Sequence, residues 1–289
     1  MLLEWREFMK DVVAGSWSEL NELLFGNSWQ ETIGRFRSTY AFRGVFDSAD
    51  DLRSTLVKGG FADHEQHLLR NFRKYARLDS VTYDSVWNWL ALAQHHGLPT
   101  RLLDWTYSPL VAMHFATAMI DYEEVEGAIW CVDYTKTSEL LPSAMRRVLS
   151  DEGSSVFTAE MLLEVAPTLK DLDALKERPF VMFFEPPSLD DRIVNQFALF
   201  SMMSSPTAEM ERWLESHPEL YQRILLPPAL KGEIRDKLDQ ANITERVLFP
   251  GLDGLTRWLK RYYRPKGFRP IRREVTSREP DTHEPMLRR

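Results

Sequence analysis

Cys131 is the only cysteine in the 289 residues, so the chain has neither an intrachain disulfide nor a multi-cysteine metal site. It lies in the apolar run Ala128-Ile129-Trp130-Cys131-Val132 and reads as a core thiol. No stretch approaches the roughly 20 consecutive apolar residues of a membrane-spanning helix. The opening Met1-Leu2-Leu3-Glu4-Trp5-Arg6-Glu7 carries acids where a signal peptide would have a basic region and a long apolar core. A soluble, cytoplasmic protein with no membrane partner is the expectation. Gly-rich phosphate loops, nucleophile elbows and zinc-protease motifs are also missing, which argues against ATP hydrolysis, serine hydrolysis and metalloproteolysis.

What is present suffices for a sizeable core: 44% of residues are hydrophobic and 12% aromatic, read as one large domain. The formal charge of −7 argues against a surface given over to nucleic acid. Its distribution is uneven. Arg264 to Arg289 holds eight Lys or Arg and four Asp or Glu, a balance of +4 that leaves −11 for the rest. This proline-containing, aperiodic segment reads as a basic tail, either a solvated extension or a contact for a protein or nucleic-acid acceptor.

Periodicity predicts amphipathic helices at Leu3–Val13 and Ser16–Leu24, the second with Ser16 as N-cap and Glu19 completing a capping box. A strand is expected at Arg37–Val45. Helices follow at Ser48–Val57, Ala62–Ala76 and Asp84–His95, then strands at Thr100–Thr106 and Gly127–Asp133. Short helices at Ala144–Leu149, Ala159–Val165 and Leu169–Glu177 lead to strands at Phe180–Glu185, Gln196–Met203 and Tyr221–Leu226. Helices at Pro228–Ala241 and Leu252–Tyr262 close the domain. Without regular βαβ alternation, this is an α+β fold: a mixed, mainly antiparallel sheet core with flanking helices. The organisation is an N-terminal helical cap (1–35), a main domain (36–262) and the tail (263–289).

Chemistry concentrates in Leu90–Ala118, where Thr100–Thr106 links two apolar helices and Ser108-Pro109 opens the second. Polar groups at a strand end facing a helix N-terminus suit an anionic ligand. Arg43, in the strand run Ser38–Val45, needs an anion or a partner because its guanidinium does not lose its charge. Alternation places Thr39, Ala41 and Arg43 on one face and Tyr40, Phe42 and Val45 on the other, with Gly44 loosening the strand so that a ligand can reach the backbone. Arg43 is either a phosphate or carboxylate clamp or half of a structural ion pair with Asp104 or another internal acid. Asp104, inside Leu102-Leu103-Asp104-Trp105, reads as a buried carboxylate paired with Arg43 or Arg192, as a direct catalytic group, or as an orienting one. Arg192, Asn195 and Gln196 form a second polar cluster, with Arg192 and Gln196 on one face whether the segment is strand or helical turn. His95 and His96 read as helix C-terminal groups, and His64 and His67 as a polar, exposed pair. No metal is expected: only a long-range set such as His95, His114 and Asp104 could supply ligands.

The triplet Phe42-Arg43-Gly44, the block AQHHGLPTRLLDWTYSPLVAMHFA, the segment Arg192–Gln196 with Phe200, and Leu248-Phe249-Pro250-Gly251-Leu252-Asp253-Gly254 together resemble the FRG-domain family over roughly residues 36 to 260. Val45, where that family often has a polar residue, and Ala198, where it often has glycine, depart from the pattern. Arg-Gly on a first strand followed by a Thr/Ser strand end and Ala-x-x-Phe is, more distantly, similar to arginine-type ADP-ribosyltransferases. That resemblance implies a fold of this type and NAD as substrate, with Arg43, Gly44, Thr106, Ser108 and Arg192 binding it, Ala112 and Phe115 in the matching helix, and Gln196 or Glu185 where a catalytic acid is sought. A glutamine amide positions groups but takes no proton. The resemblance implies a nucleotide-binding protein of a bacterial or phage defence or toxin setting that transfers or hydrolyses ADP-ribose. The alternative is a non-catalytic module that recognises a nucleic acid or protein.

Overall fold

The computed structural model describes residues 11–76, 81, 83–119, 122–175 and 178–265. The strands are β1 (Asp11–Val13), β2 (Trp29–Gln30), β3 (Arg35–Phe36), β4 (Tyr40–Val45), β5 (Leu102–Thr106), β6 (Gly127–Asp133), β7 (Val181–Phe184), β8 (Ala198–Met203) and β9 (Tyr221–Leu226). The first helices are α1 (Trp17–Phe25), α2 (Thr55–Lys58), α3 (Glu65–Tyr75), α4 (Val86–His95), α5 (Pro109–Thr117), α6 (Tyr134–Glu139) and α7 (Ser143–Asp151). They are followed by α8 (Ala159–Val165), α9 (Leu169–Ala174), α10 (Asp191–Asn195), α11 (Met210–Glu215), α12 (Pro228–Gln240), α13 (Glu245–Leu248) and α14 (Leu252–Tyr262).

Seven strands form one sheet in the order β1-β9-β6-β4-β5-β8-β7, with β2 and β3 as a separate two-stranded ribbon. Every neighbour pair in the large sheet is antiparallel except β1 with β9. The fold is therefore α+β with a mainly antiparallel sheet, as composition and patterning implied. Among the described residues, no helix is long and apolar enough to cross a membrane.

Strand alternation divides the core. Phe42, Ile129, Cys131, Ile224 and Leu226 point to one sheet face and pack against α1, α5 and α12. Leu102, Met182, Phe184, Phe200 and Met202 point to the same face and pack against α3, α4 and α7–α9. The opposite face carries Ala41, Val45, Leu103, Trp105 and Trp130, covered in part by Met210 and Leu214 of α11. Cys131 is buried, and burial alone pushes its thiol pKa up, as a core thiol requires.

Local chemistry sets most element ends. Ser16 accepts the Glu19 N–H at the start of α1, but the Glu19 carboxylate reaches back to Gly15 N–H, one residue before the usual capping-box partner. Ser85 and Ser108 cap α4 and α5 in the same way. Two sequence expectations are corrected. Asp11–Val13, the end of a predicted helix, is strand β1, drawn into the sheet edge where the Arg223 guanidinium of β9 grips Asp11 at 2.6 and 2.7 Å. Residues 1–10 and the predicted basic tail beyond 265 lie outside the described residues. The helix expected over Ser48–Val57 shrinks to α2, because Asp47 and Asp51 side chains take the backbone N–H groups of Ala49 and Arg53 in local turns that compete with helix.

Gly44 does not loosen β4. The β4–β6 register runs without a bulge from Tyr40↔Asp133 to Val45↔Ala128, so Val45 lies on the Ala41 face rather than the Phe42 face. What glycine permits is contact with α5: a Cβ at position 44 would stand 1.9 Å from the Ala112 carbonyl oxygen and 2.7 Å from the Ala116 nitrogen. Backbone cannot yield as a flexible side chain does. Gly44→Ala is expected to destabilise the protein by about 3 kcal/mol, measured as the shift in urea unfolding free energy; a change below about 1 kcal/mol would show that α5 can move aside.

Candidate functional site

A cavity of about 1210 Å³ opens between the two helical groups on one sheet face. Its floor comes from β4, β5 and β8, its sides from α4 and α5, and its rim from α10, Phe249 and α14. Beyond the single registered pair Phe42↔Thr106, β4 and β5 part company. There the Arg43 Nη1 donates to the Asp104 backbone carbonyl at 2.6 Å, while Arg43 Nε is sequestered from solvent with no hydrogen-bond partner.

Asp104 is exposed within this cavity, not buried, and its carboxylate is paired with neither arginine. Both its oxygens accept from Gln94 Nε2, at 3.0 and 3.1 Å. Gln94 Oε1 in turn accepts from the Thr100 hydroxyl, and that contact fixes which end of the amide faces the acid. Arg101, next in sequence, is spent elsewhere, buried against Glu65 and Asp173. Asp104 thus stands as a carboxylate held in place by a neutral donor, with its charge available to the cavity.

Arg43, Gly44, Asp104, Thr106, Arg192 and Gln196 all line the same cavity. Several of them also have structural work. Thr106 donates to the Gln196 carbonyl and accepts the Ser108 N–H, closing the turn from β5 into α5. Gln196 donates to the Leu248 carbonyl at 2.9 Å and Asn195 to that of Val247 at 2.9 Å, so the two amides tie the end of α10 to the last carbonyls of α13. Ser108 is the N-cap of α5 and does not line the cavity. Glu185 lies outside the lining and accepts the Tyr107 hydroxyl at 2.8 Å. Burial, reinforced by this hydrogen bond, pushes the Tyr107 pKa up.

The segment Arg192–Gln196 resolves as the end of the helical turn α10. Arg192 then sits with its guanidinium 5.1 Å from the centre of the Phe249 ring, and Arg257 of α14 approaches the same ring at 5.2 Å. Among the described residues neither guanidinium is in an ion pair. Nothing local marks Arg257 in the sequence, because it reaches the cavity only through the packing of α14.

His114 and His95 line different parts of the wall. His114 is fully buried, with Arg235 Nη1 at 2.9 Å from its Nδ1. An arginine only donates, so Nδ1 accepts and the ring proton sits on Nε2. Burial first, then the Arg235 charge, pushes the His114 pKa down to about 3. His95 ends α4 and pairs with Asp190, the N-cap of α10, at 2.8 Å. Among the described residues, no three His, Cys, Asp or Glu side chains cluster closely enough to hold a metal ion.

The His114 assignment carries a pH signature. Its folded pKa lies below the ordinary 6.5, so its contribution to stability is complete above that value and is lost as pH falls toward 3, where the unfolded chain alone takes the proton. The slope for one proton is about 1.4 kcal/mol per pH unit. Urea unfolding from pH 7 to 5 should therefore show wild type losing its advantage over His114→Gln at about this rate. Parallel curves for the two proteins would mean that His114 titrates normally.

No curated protein and no solved structure matches this chain. The family model of the FRG domain matches residues 38–124, the stretch that runs from the approach to β4 through α4, β5 and α5 and supplies Arg43, Gln94, His95, Asp104 and His114 to the cavity. Arg192, Phe249 and Arg257 lie beyond the matched stretch and complete the same wall. At residues 38–124 the chain carries an FRG domain.

Proposed function

We propose that the cavity binds a nucleotide, with NAD as the first candidate and ADP-ribose transfer or hydrolysis as the reaction. The observation that carries this reading is the pair of guanidiniums, Arg192 and Arg257, held 5.1 and 5.2 Å from the centre of one ring and, among the described residues, in no ion pair. Both guanidiniums approach the same ring at the cavity rim, and guanidinium forks match phosphate oxygens two at a time. Arg43 adds a third guanidinium to the lining, from the floor. Asp104 offers the complementary chemistry, a fixed carboxylate able to accept from ribose hydroxyls. A volume near 1210 Å³ has room for a dinucleotide.

A binding module without catalysis is the second reading, and a specific observation favours it. Gln196 is tied to a backbone carbonyl and Glu185 lies outside the lining, so neither is placed to act as the acid of a transferase.

Calorimetric titration with NAD and with ADP-ribose separates these readings. Arg192→Ala and Arg257→Ala should each weaken binding by about 10- to 100-fold, the worth of a charge-assisted hydrogen bond, with unfolding free energies within about 0.5 kcal/mol of wild type. Arg43→Ala should also weaken binding and cost about 1 kcal/mol of stability, since it breaks one hydrogen bond to a carbonyl and no ion pair. Binding with nicotinamide release marks an enzyme, and binding without it a module. Failure of wild type to bind either compound at millimolar concentration would overturn the nucleotide reading.

A further inference from the structure

His95 occupies a position in the cavity that its sequence neighbours disguise as a helix end. Its Nε2 lies 2.8 Å from Asp190 Oδ2, while Asp190 Oδ1 accepts the Ile193 N–H as the N-cap of α10. The carboxylate is thus held at both oxygens. A carboxylate accepts only, so the contact keeps the imidazole proton on Nε2 and leaves the lone pair at Nδ1. This is the arrangement by which an acid orients a histidine for proton abstraction. The charged and titratable groups acting on the ring are Asp190 and Arg192 from the α10 segment and His96 beside it. Burial dominates, Asp190 opposes it, and Arg192 and His96 add to it, so the His95 pKa lies below the ordinary 6.5 and the ring is neutral at pH 7.

The other candidates fall away on geometry. Gln196 takes no proton, Glu185 is not in the lining, Asp50 and Glu245 are paired with Lys58 and Arg261, and Asp104 is turned by Gln94 to serve the ribose hydroxyls. His114 presents its protonated nitrogen and is buried. We propose that His95 is the general base of this cavity, oriented by Asp190, acting on a hydroxyl that attacks the nicotinamide-bearing ribose carbon. The assignment of this substrate rests on the NAD reading above. In the step, the oxygen of water or of an acceptor alcohol bonds to the anomeric carbon. The bond from that carbon to nicotinamide breaks with its electron pair passing to the positively charged ring nitrogen, and nicotinamide leaves neutral. The hydroxyl proton moves to His95 Nδ1 and then to solvent. Asp190 stabilises the transient imidazolium, and Arg192, beside Phe249, holds phosphate.

Two readouts on the full chain test this. The first needs no substrate: diethyl pyrocarbonate acylates neutral, accessible imidazole, and peptide mass spectrometry locates the adduct. His95 should be modified with a pH midpoint below 6.5, shifted further down in Asp190→Asn, while His114 stays unmodified. The second is turnover: His95→Gln should bind ADP-ribose within about twofold of wild type yet release nicotinamide at least about 100-fold more slowly, with the acid limb of the pH profile abolished. An unreactive His95, or a His95→Gln variant with wild-type turnover, overturns the proposal. A reactive, Asp190-dependent His95 in a protein that binds neither NAD nor ADP-ribose supports the base and overturns the NAD reading.

Discussion

The approach of α5 to β4 at Gly44 is the constraint on which the cavity depends. Because a strand and a helix meet there backbone to backbone, α5 lies low over the sheet and brings His114 and Phe115 against the cavity. The cost is local crowding that leaves room for hydrogen alone. On the other side of β4 the strands separate after one registered pair, and Arg43 bridges the gap to the Asp104 carbonyl. Tight contact on one side and separation on the other produce a deep opening in a sheet that is elsewhere continuously paired.

Around that opening, polar residues divide between wiring and supply. Thr106, Asn195 and Gln196 spend their hydrogen bonds on backbone groups of other segments and so fix the positions of α5, α10 and α13. Arg261 binds Asp239 and Glu245 at 2.6 to 2.8 Å, which locks α14 to α12 and α13; against burial, its hydrogen bonds hold the Glu245 carboxyl below the usual range. What is left uncommitted by this wiring is small and chemically coherent: two guanidiniums, one carboxylate held by an amide, and one imidazole with a fixed tautomer.

Much of this was legible in sequence where the physics is local. Helix starts at Ser16 and Ser108, the strand Gly127–Asp133 and the apolar helix α4 follow from periodicity and from the competition of serine with backbone, whereas the cap at Ser85 falls inside the helix expected from Asp84. The residues Arg43, Asp104, Thr106, Arg192 and Gln196 were also marked by type and do share one cavity. Their partners were not legible, because partnership is set by register and packing. Asp104 looked buried among Leu102, Leu103 and Trp105, yet alternation turns it away from Leu103 and Trp105 toward Gln94. His95 looked like a helix terminus because Asp190, some hundred residues on, carries no sign of its destination. Short α6, α11 and α13 escaped for another reason: four to six residues hold too little periodicity to register.

The strand order has a bearing on what the word domain means for this chain. β4 owes nearly all its pairing to β6, which begins at Gly127, and β5 owes its pairing to β8, which begins at Ala198; both partners lie past the matched residues 38–124. β4 and β5, the two strands inside that stretch, share one registered pair with each other. The stretch that is recognisable by sequence is therefore not a folding module: it carries Arg43, Gln94, His95 and Asp104, and the remainder of the chain carries the strands that pair with β4 and β5 and the rest of the cavity wall, Arg192 and Arg257 among it.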